Sequence, residues 1–103
     1  MTEVFTLVGR AYPKPERADD LRKLLLSFVA PTREEPGCLE YHLHADRDDP
    51  AVLVFYEVWR SQGDLERHLE LPHMKRFWES RMDYLERDLD IQYITMLSPY
   101  PGS

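Results

Sequence analysis

The sequence contains a single cysteine, Cys38, and no excess of positive charge. One cysteine excludes an internal disulfide and a cysteine-rich metal site, and it fits a reducing compartment. The formal net charge is −6, which argues against nucleic acids and anionic membranes as partners, because both require a basic surface. We therefore expect no nucleic-acid partner and no membrane partner.

Long apolar runs are also missing. No segment approaches the roughly 20 apolar residues that a membrane span requires. The first ten residues, MTEVFTLVGR, lack the basic start and long apolar core of a signal peptide, so the expected location is the cytoplasm. A phosphate-binding glycine loop and a dinucleotide fingerprint are absent as well, and we expect no cofactor.

What is present predicts a single domain over residues 1–103, with 98–103 as a tail. Residues 4–12, 38–45, 52–59 and 89–97 have the composition or alternation of β-strands. A first helix should begin at Pro15 and end or kink near Val29, because Pro31 lacks an N–H group. A second helical region should begin with Ser61 as its N-cap, pause at Pro72, and carry an apolar stripe of Met74, Phe77, Trp78, Met82 and Leu85.

The resulting order, β-α-β-β-α-β, is typical of an α+β ferredoxin-like fold: a four-stranded antiparallel sheet with helices on one face. The first and third strands are apolar on both faces. Because helices can cover only one face, the other would expose a large apolar patch, which soluble monomers avoid. We therefore predict a homodimer that forms through the sheet face.

Four segments carry a resemblance to a known family: REEPGCLEY at 33–41, DDP at 48–50, YEVW at 56–59 and HLELPHMKRF at 68–77. In this order they resemble the antibiotic biosynthesis monooxygenase (ABM) domain family, over essentially the whole chain. The resemblance implies a dimeric α+β barrel. It also implies one of several activities, because some members oxidise quinols or polycyclic phenols with O2 without a cofactor, and others isomerise sugar-derived phosphates or degrade haem.

Haem degradation is disfavoured by a departure from the family pattern. In the haem-degrading members of the family that the chain resembles, the first strand carries an asparagine, and the helices carry a tryptophan and a histidine. This chain contains no asparagine, and its helices offer His68 and Trp78 in the opposite order.

His68 is the first candidate catalytic residue. It lies between Leu65 and Leu69 on a predicted helix, so it leans toward the core, and an imidazole can take a phenolic proton near neutral pH. It matches the histidine of the family's helix motif, which in some members lies in the pocket. A boundary histidine bonded to a backbone carbonyl is the alternative.

Glu57 is the second candidate catalytic residue, because a carboxylate flanked by Phe55 and Trp59 needs a partner. It would orient the base or a substrate hydroxyl, or form a structural ion pair with Arg10 or Arg33. The candidate substrate-binding residues are Trp59, Tyr41, Met74, Phe77 and Trp78, each of which can equally be core. His42 and His44 share a strand face, but no third ligand is evident, and we expect no metal site.

These residues predict a cofactor-independent monooxygenase that oxidises a quinol or polyphenolic small molecule with O2. Two alternatives remain: a non-catalytic dimer that binds small ligands or serves in stress response, and an isomerase of a small phosphorylated keto compound. The isomerase would require a cationic pocket.

Overall fold

The computed structural model describes residues 3–102. The strands are β1 (Phe5–Pro13), β2 (Cys38–Ala45), β3 (Leu53–Trp59) and β4 (Leu85–Ile94). The helices are α1 (Ala18–Ser27), α2 (Val29–Arg33), α3 (Gln62–Leu69) and α4 (Pro72–Ser80), with 3₁₀ turns at Pro15–Arg17 and Arg81–Asp83. Within residues 3–102, no helix is long and apolar enough to cross a membrane.

The strands form one antiparallel sheet in the order β2-β3-β1-β4. The two most apolar strands, β1 and β3, therefore lie in the centre, and the crossovers bring all four helices to one face. This arrangement confirms the predicted ferredoxin-like α+β fold.

The core lies between the sheet and the helices. Alternation along each strand sends every second side chain toward the helices. Helical spacing does the same for α1 and α4, which present Leu21, Leu25, Met74 and Phe77 to the sheet. A second cluster, under α3, contains Leu7, Tyr41, Trp59 and Leu65.

The break between α1 and α2 lies at Phe28, as Pro31 predicts. Proline has no N–H to bond the carbonyl four residues back, which here belongs to Ser27. At the break, the Phe28 N–H bonds the Leu25 carbonyl, three residues back, at 3.2 Å. The chain then continues as α2. The short helix α2 then leads into the loop before β2.

The predicted end of the second helical region is wrong. Met82 and Leu85 continue the helical spacing of the stripe, but α4 ends at Ser80 and β4 begins at Leu85 rather than at residue 89. The Arg81 side chain donates to both Asp88 oxygens, at 2.7 and 3.0 Å, and to the Trp78 carbonyl at 2.6 Å. These bonds hold a tight turn, so Leu85 enters the core from the strand and Met82 stays exposed.

A β-bulge at the start of β2 changes which side chain points inward. The pairing with β3 shifts between Cys38 and Glu40, which leaves Leu39 unpaired and exposed. Strict alternation along the predicted strand 38–45 would place Leu39 on the inner face with Tyr41, and the bulge overturns this expectation. Cys38 takes the inner place, and burial raises the pKa of its thiol to about 11, so it stays protonated as a packing residue.

Gly9 lets an aromatic ring lie directly on the sheet. It pairs with Phe55 across β1 and β3, and a β-carbon at position 9 would lie 2.1 Å from the Phe55 ring. Any side chain there would displace the ring. The absence of one therefore fixes the position of Phe55 on the helix-facing side of the sheet.

The opposite face of the sheet carries Val8, Val54 and Tyr56 on its central strands, all half-buried within the single chain. Charged and polar groups flank them, including Arg10. Tyr100 of the C-terminal tail approaches Glu40 on this face, so the tail crosses part of it. The face is less openly apolar than the sequence predicted.

A turn before β2 is clamped to the start of α3. Gly37 has φ +84°, and its carbonyl accepts from the Arg60 N–H at 2.7 Å. Asp64 fills the space beside it, accepting from Arg60 Nε and Nη2 at 3.0 and 2.9 Å and also from Arg67. Ser61 caps α3 as predicted, its hydroxyl accepting from the Asp64 N–H at 3.2 Å.

Replacing Gly37 by alanine should destabilise the fold. The backbone is left-handed there, and a β-carbon would lie 2.3 Å from Asp64 Cγ. We expect Gly37→Ala to lower the free energy of unfolding by about 2 kcal/mol or more in urea titrations. Gly63→Ala, in the first turn of α3 with its nearest contact at 3.8 Å, is the matched control and should be neutral or slightly stabilising. Equal effects of the two substitutions would contradict this account of the clamp.

Candidate functional site

A cavity lies between the sheet and the helices, where the two core clusters meet. It encloses about 660 Å³ of space free of atoms, part of it open to solvent. Most of its lining is aliphatic or aromatic, and its polar groups are few. Tyr93 on β4 is the one exposed lining residue within 3–102, so it marks the mouth. Such a hollow suits a small apolar ligand.

His68 lies at the inner part of this cavity. Its place on α3, with Leu65 one turn earlier, points it inward, and only 1% of its surface is exposed. Its Nδ1 lies 3.0 and 2.9 Å from the two carboxylate oxygens of Glu35. The predicted alternative, a boundary histidine bonded to a backbone carbonyl, is not what the structure shows.

Two aromatic rings hold the imidazole from the sheet side. The Trp59 indole lies 4.9 Å from it between ring centres, and the Tyr41 ring meets it edge-on at 5.8 Å. Trp59 is fully buried and does not reach the cavity. Trp59 is therefore not among the side chains that line the cavity, and it packs instead against the His68 ring.

Trp59 instead holds Glu57. The indole Nε1–H donates to Glu57 Oε1 at 2.9 Å, and Glu57 lines the cavity with 5% of its surface exposed. The alternative ion pair does not form: Arg10 is exposed on the opposite face, and Arg33 donates to the Tyr41 carbonyl at 3.0 Å. Within residues 3–102, Glu57 is thus a buried carboxyl without a cationic partner.

Burial sets the protonation of these groups. It raises the pKa of Glu57 from 4.5 to about 7, against the hydrogen bond from Trp59 and with help from the Glu35 charge. It raises the pKa of Tyr41 far above its ordinary range, and Glu57 and Glu35 add to the rise. Burial also lowers the pKa of His68 below 6.5, although Glu35 opposes it. At neutral pH the imidazole is therefore mostly uncharged.

The predicted apolar stripe supplies the opposite wall. Met74 and Phe77 are buried, Trp78 is half-buried, and all three line the cavity. Core and pocket wall are thus the same residues, and Met74 adds an adaptable side chain. With Tyr41, they place four of the five predicted substrate-binding residues at the hollow. Their role in binding a substrate stays a prediction.

Glu35 is the site residue that sequence reasoning missed. It follows α2, just before Pro36, and its side chain is 15% exposed. Its partner is 33 residues away, so no local spacing could have paired them. The one available signal was an acidic residue next to a turn, facing a helix that carries an inward histidine.

The two histidines of β2 form no metal site. Both ring nitrogens of His42 are engaged, Nδ1 with Arg33 at 3.2 Å and Nε2 with Glu40 at 3.0 Å, and the ring stacks on Tyr56. In the part of the chain that the structure describes, no group of three His, Cys, Asp or Glu side chains could hold a metal ion. The cavity lining itself includes an imidazole, His68, and a carboxyl, Glu57, and both groups can take part in acid–base chemistry.

Fold and site together define a class: a ferredoxin-like α+β domain that encloses an apolar cavity with a buried imidazole and carboxyl at its inner end. Residues 4–80 match the family described as Antibiotic biosynthesis monooxygenase. The chain belongs to this family, as the sequence motifs had suggested.

Individual relatives are similar to this chain over most of its length. The chain is 32% identical over 99 residues to "Putative monooxygenase Rv0793" of Mycobacterium tuberculosis, covering 96% of this chain and 94% of that one. It is 30% identical over 86 residues to "Uncharacterized protein sll1783" of Synechocystis, covering 84% of this chain but 58% of that longer protein. The crystal structure of PA3566 from Pseudomonas aeruginosa has a TM-score of 0.87 and 35% identity, over 95% of this chain and 98% of that chain.

The buried carboxyl of Glu57 should make stability depend on pH. Its pKa is about 7 in the folded chain and near 4.5 when exposed, so the folded state binds the proton more tightly. This stabilisation is complete below pH 4.5 and is lost as the pH rises toward 7, at on the order of 1 kcal/mol per pH unit. Glu57→Gln keeps an acceptor for Trp59 but cannot ionise. Relative to the parent, it should gain stability across this range in urea titrations at fixed pH.

The comparison of variant with parent cancels the contribution of His68 to the free energy of unfolding, which has the opposite pH dependence. His68 stabilises the folded state less as the pH falls below 6.5. Glu66→Gln, an exposed position on α3, is the control and should follow the parent. A parallel pH dependence for Glu57→Gln and the parent would show that Glu57 does not titrate in this range.

Proposed function

We propose that this protein is a cofactor-independent monooxygenase that oxidises a quinol or polyphenolic small molecule with O2. The observation that carries the proposal is the uncharged imidazole of His68 at the inner end of an apolar, partly aromatic cavity. Membership of the family and the name of the relative Rv0793 support an oxidoreductase. We further propose that it works in the cytoplasm, where Cys38 would stay reduced.

The first step is a proton transfer. His68 takes the proton of a substrate hydroxyl, and the resulting phenolate places electron density on the ring. The aliphatic and aromatic lining would solvate this anion poorly and so make it more readily oxidised. Glu57, partly protonated at neutral pH, would donate a hydrogen bond to a second oxygen of the substrate and hold its orientation.

The substrate then supplies all electrons. The ring carbon beside the phenolate oxygen bonds to O2, and the protonated His68 returns its proton to the distal oxygen, giving a hydroperoxide. Loss of the ring proton breaks the O–O bond and releases water. One molecule of hydroquinone and one of O2 thus give one molecule of hydroxybenzoquinone and one of water, so each product takes one atom of the O2.

The isomerase alternative receives no support. A phosphorylated substrate needs a cationic partner, and none of the residues that line the cavity within 3–102 is Lys or Arg. The ligand-binding alternative needs the same cavity but no base, so turnover decides between it and the monooxygenase.

Turnover is tested by O2 uptake with hydroquinone and with a two-ring naphthalenediol, without added metal or flavin. His68→Ala should lower kcat/KM by about 10²–10⁴-fold, because it removes the base. His44→Ala, at an exposed histidine on β2, is the matched control and should retain full activity. Equal rates for the parent and His68→Ala would remove His68 from the mechanism. Saturable binding of both diols without uptake by the parent would favour the ligand-binding alternative.

The predicted dimer also belongs to this proposal. The sheet face opposite the helices carries Val8, Val54 and Tyr56, half-buried even in one chain, with charged groups around them. A second copy would cover this apolar centre and leave the charges at the rim, as protein interfaces do.

Sedimentation in dilute solution should give twice the chain mass. Val54→Asp should shift the protein toward the monomer, because it places a carboxylate at the centre of the interface without a partner. Leu26→Asp, at an exposed residue of α1 on the other side of the chain, should leave the dimer intact. A folded parent that sediments as a monomer would contradict the proposed interface.

A further inference from the structure

The contact between His68 and Glu35 determines which imidazole nitrogen carries hydrogen. Both Glu35 oxygens lie within hydrogen-bond distance of Nδ1, at 3.0 and 2.9 Å. A carboxylate can only accept, so against an ionised Glu35 the donor is Nδ1. In an uncharged imidazole, the lone pair is then on Nε2.

The second nitrogen is left without a protein partner. Among the hydrogen bonds within residues 3–102, none involves His68 Nε2, while the residue lines the cavity. A ring nitrogen that has no hydrogen-bond partner among the described residues, on a side chain that lines the cavity, is available to a ligand. We propose that Glu35 is a positioning residue that holds His68 as the Nδ1–H tautomer, so that Nε2 can take the proton of the substrate.

The backbone holds Glu35 firmly in this position. Its N–H bonds the Thr32 carbonyl at 3.0 Å, and its carbonyl accepts from the Cys38 N–H at 3.2 Å. The following turn, at Gly37, is clamped by Asp64 on α3. Asp64 lies one helical turn before His68, so a single helix anchors the loop of Glu35 and presents the ring that Glu35 bonds.

Other groups facing the imidazole do not replace this contact. Tyr41 and Trp59 meet it through their rings, and the Trp59 N–H is already bonded to Glu57. His73 on α4 lowers the pKa of His68, as burial does, and Glu35 is the group that opposes them. The carboxylate would therefore also stabilise the imidazolium that forms when the substrate proton arrives.

The inference rests on the proposed function only for the effect of the tautomer on catalysis, since the tautomer itself can be measured without turnover. In ¹⁵N-labelled parent protein, two-dimensional ¹H–¹⁵N spectra of the histidine rings should show His68 protonated at Nδ1 and unprotonated at Nε2. A pH titration gives the pKa of His68 in the same sample. His68→Gln assigns the signal by its loss.

Glu35→Gln keeps the shape of the side chain and removes its charge. It should lower the pKa of His68 and reduce the Nδ1–H population, because an amide can also donate to Nδ1. Glu35→Asp retains the charge and should restore the tautomer in part. Glu34→Gln, at the adjacent exposed residue, is the matched control and should leave both readouts unchanged. With a turned-over diol, Glu35→Gln should lower kcat on the order of tenfold or more with little change in KM.

An Nε2–H tautomer in the parent would overturn the inference, and so would an unchanged tautomer and pKa in Glu35→Gln. The parent measurement decides even if Glu35→Gln does not fold. Failure of every diol to consume O2 would count against the oxidation chemistry and leave the tautomer result standing.

Discussion

The buried contact between Glu35 and His68 joins the two halves of the chain. One partner follows the first pair of helices and the other lies on the third helix, 33 residues later. A charged carboxylate in such a place is tolerated only with hydrogen bonds to satisfy it. The loop before β2, the clamp at Asp64 and the ring contacts of Trp59 and Tyr41 with His68 all help to keep this pair together.

The same constraint governs the second carboxyl. In the part of the chain that the structure describes, Glu57 accepts from the indole of Trp59 and has no cationic partner. Its burial would be costly as a charge, and the cost is avoided by holding a proton up to near neutral pH. Two carboxyls thus lie in one small region with different surroundings: Glu35 is bonded to an imidazole, and Glu57 is buried with its pKa raised to about 7. Such a separation is typical of sites that move protons.

Much of the fold could be predicted, because strands and helices leave periodic patterns that depend only on nearby residues. The sheet order followed from the element order and the rules of connection. The end of α4 could not be predicted, since Met82 and Leu85 continue the helical spacing, and the bonds of Arg81 to Asp88 and Trp78 decide the turn. Leu39 was misplaced for a similar reason: a bulge at Cys38 leaves no trace in an alternating pattern.

Part of the candidate site could be predicted from the sequence. His68 and the apolar stripe were visible from spacing, and Tyr41 from its side of the strand. Trp59 was predicted to line the cavity because alternation along a strand shows which face a side chain points to. Alternation does not show how far the side chain lies from the cavity, and the indole packs against the His68 imidazole. Glu35 needed the tertiary fold, because its partner is distant along the chain.

The shape of the hollow depends on a missing methyl group. With no side chain at Gly9, the Phe55 ring occupies the space that a β-carbon would fill, and the ring forms part of the cavity lining. A descendant of this protein with alanine at that position would have to raise the ring toward the helices, leaving a shallower space. The absence of a side chain at position 9 of a central strand therefore sets the limit on how thick a molecule the cavity could hold.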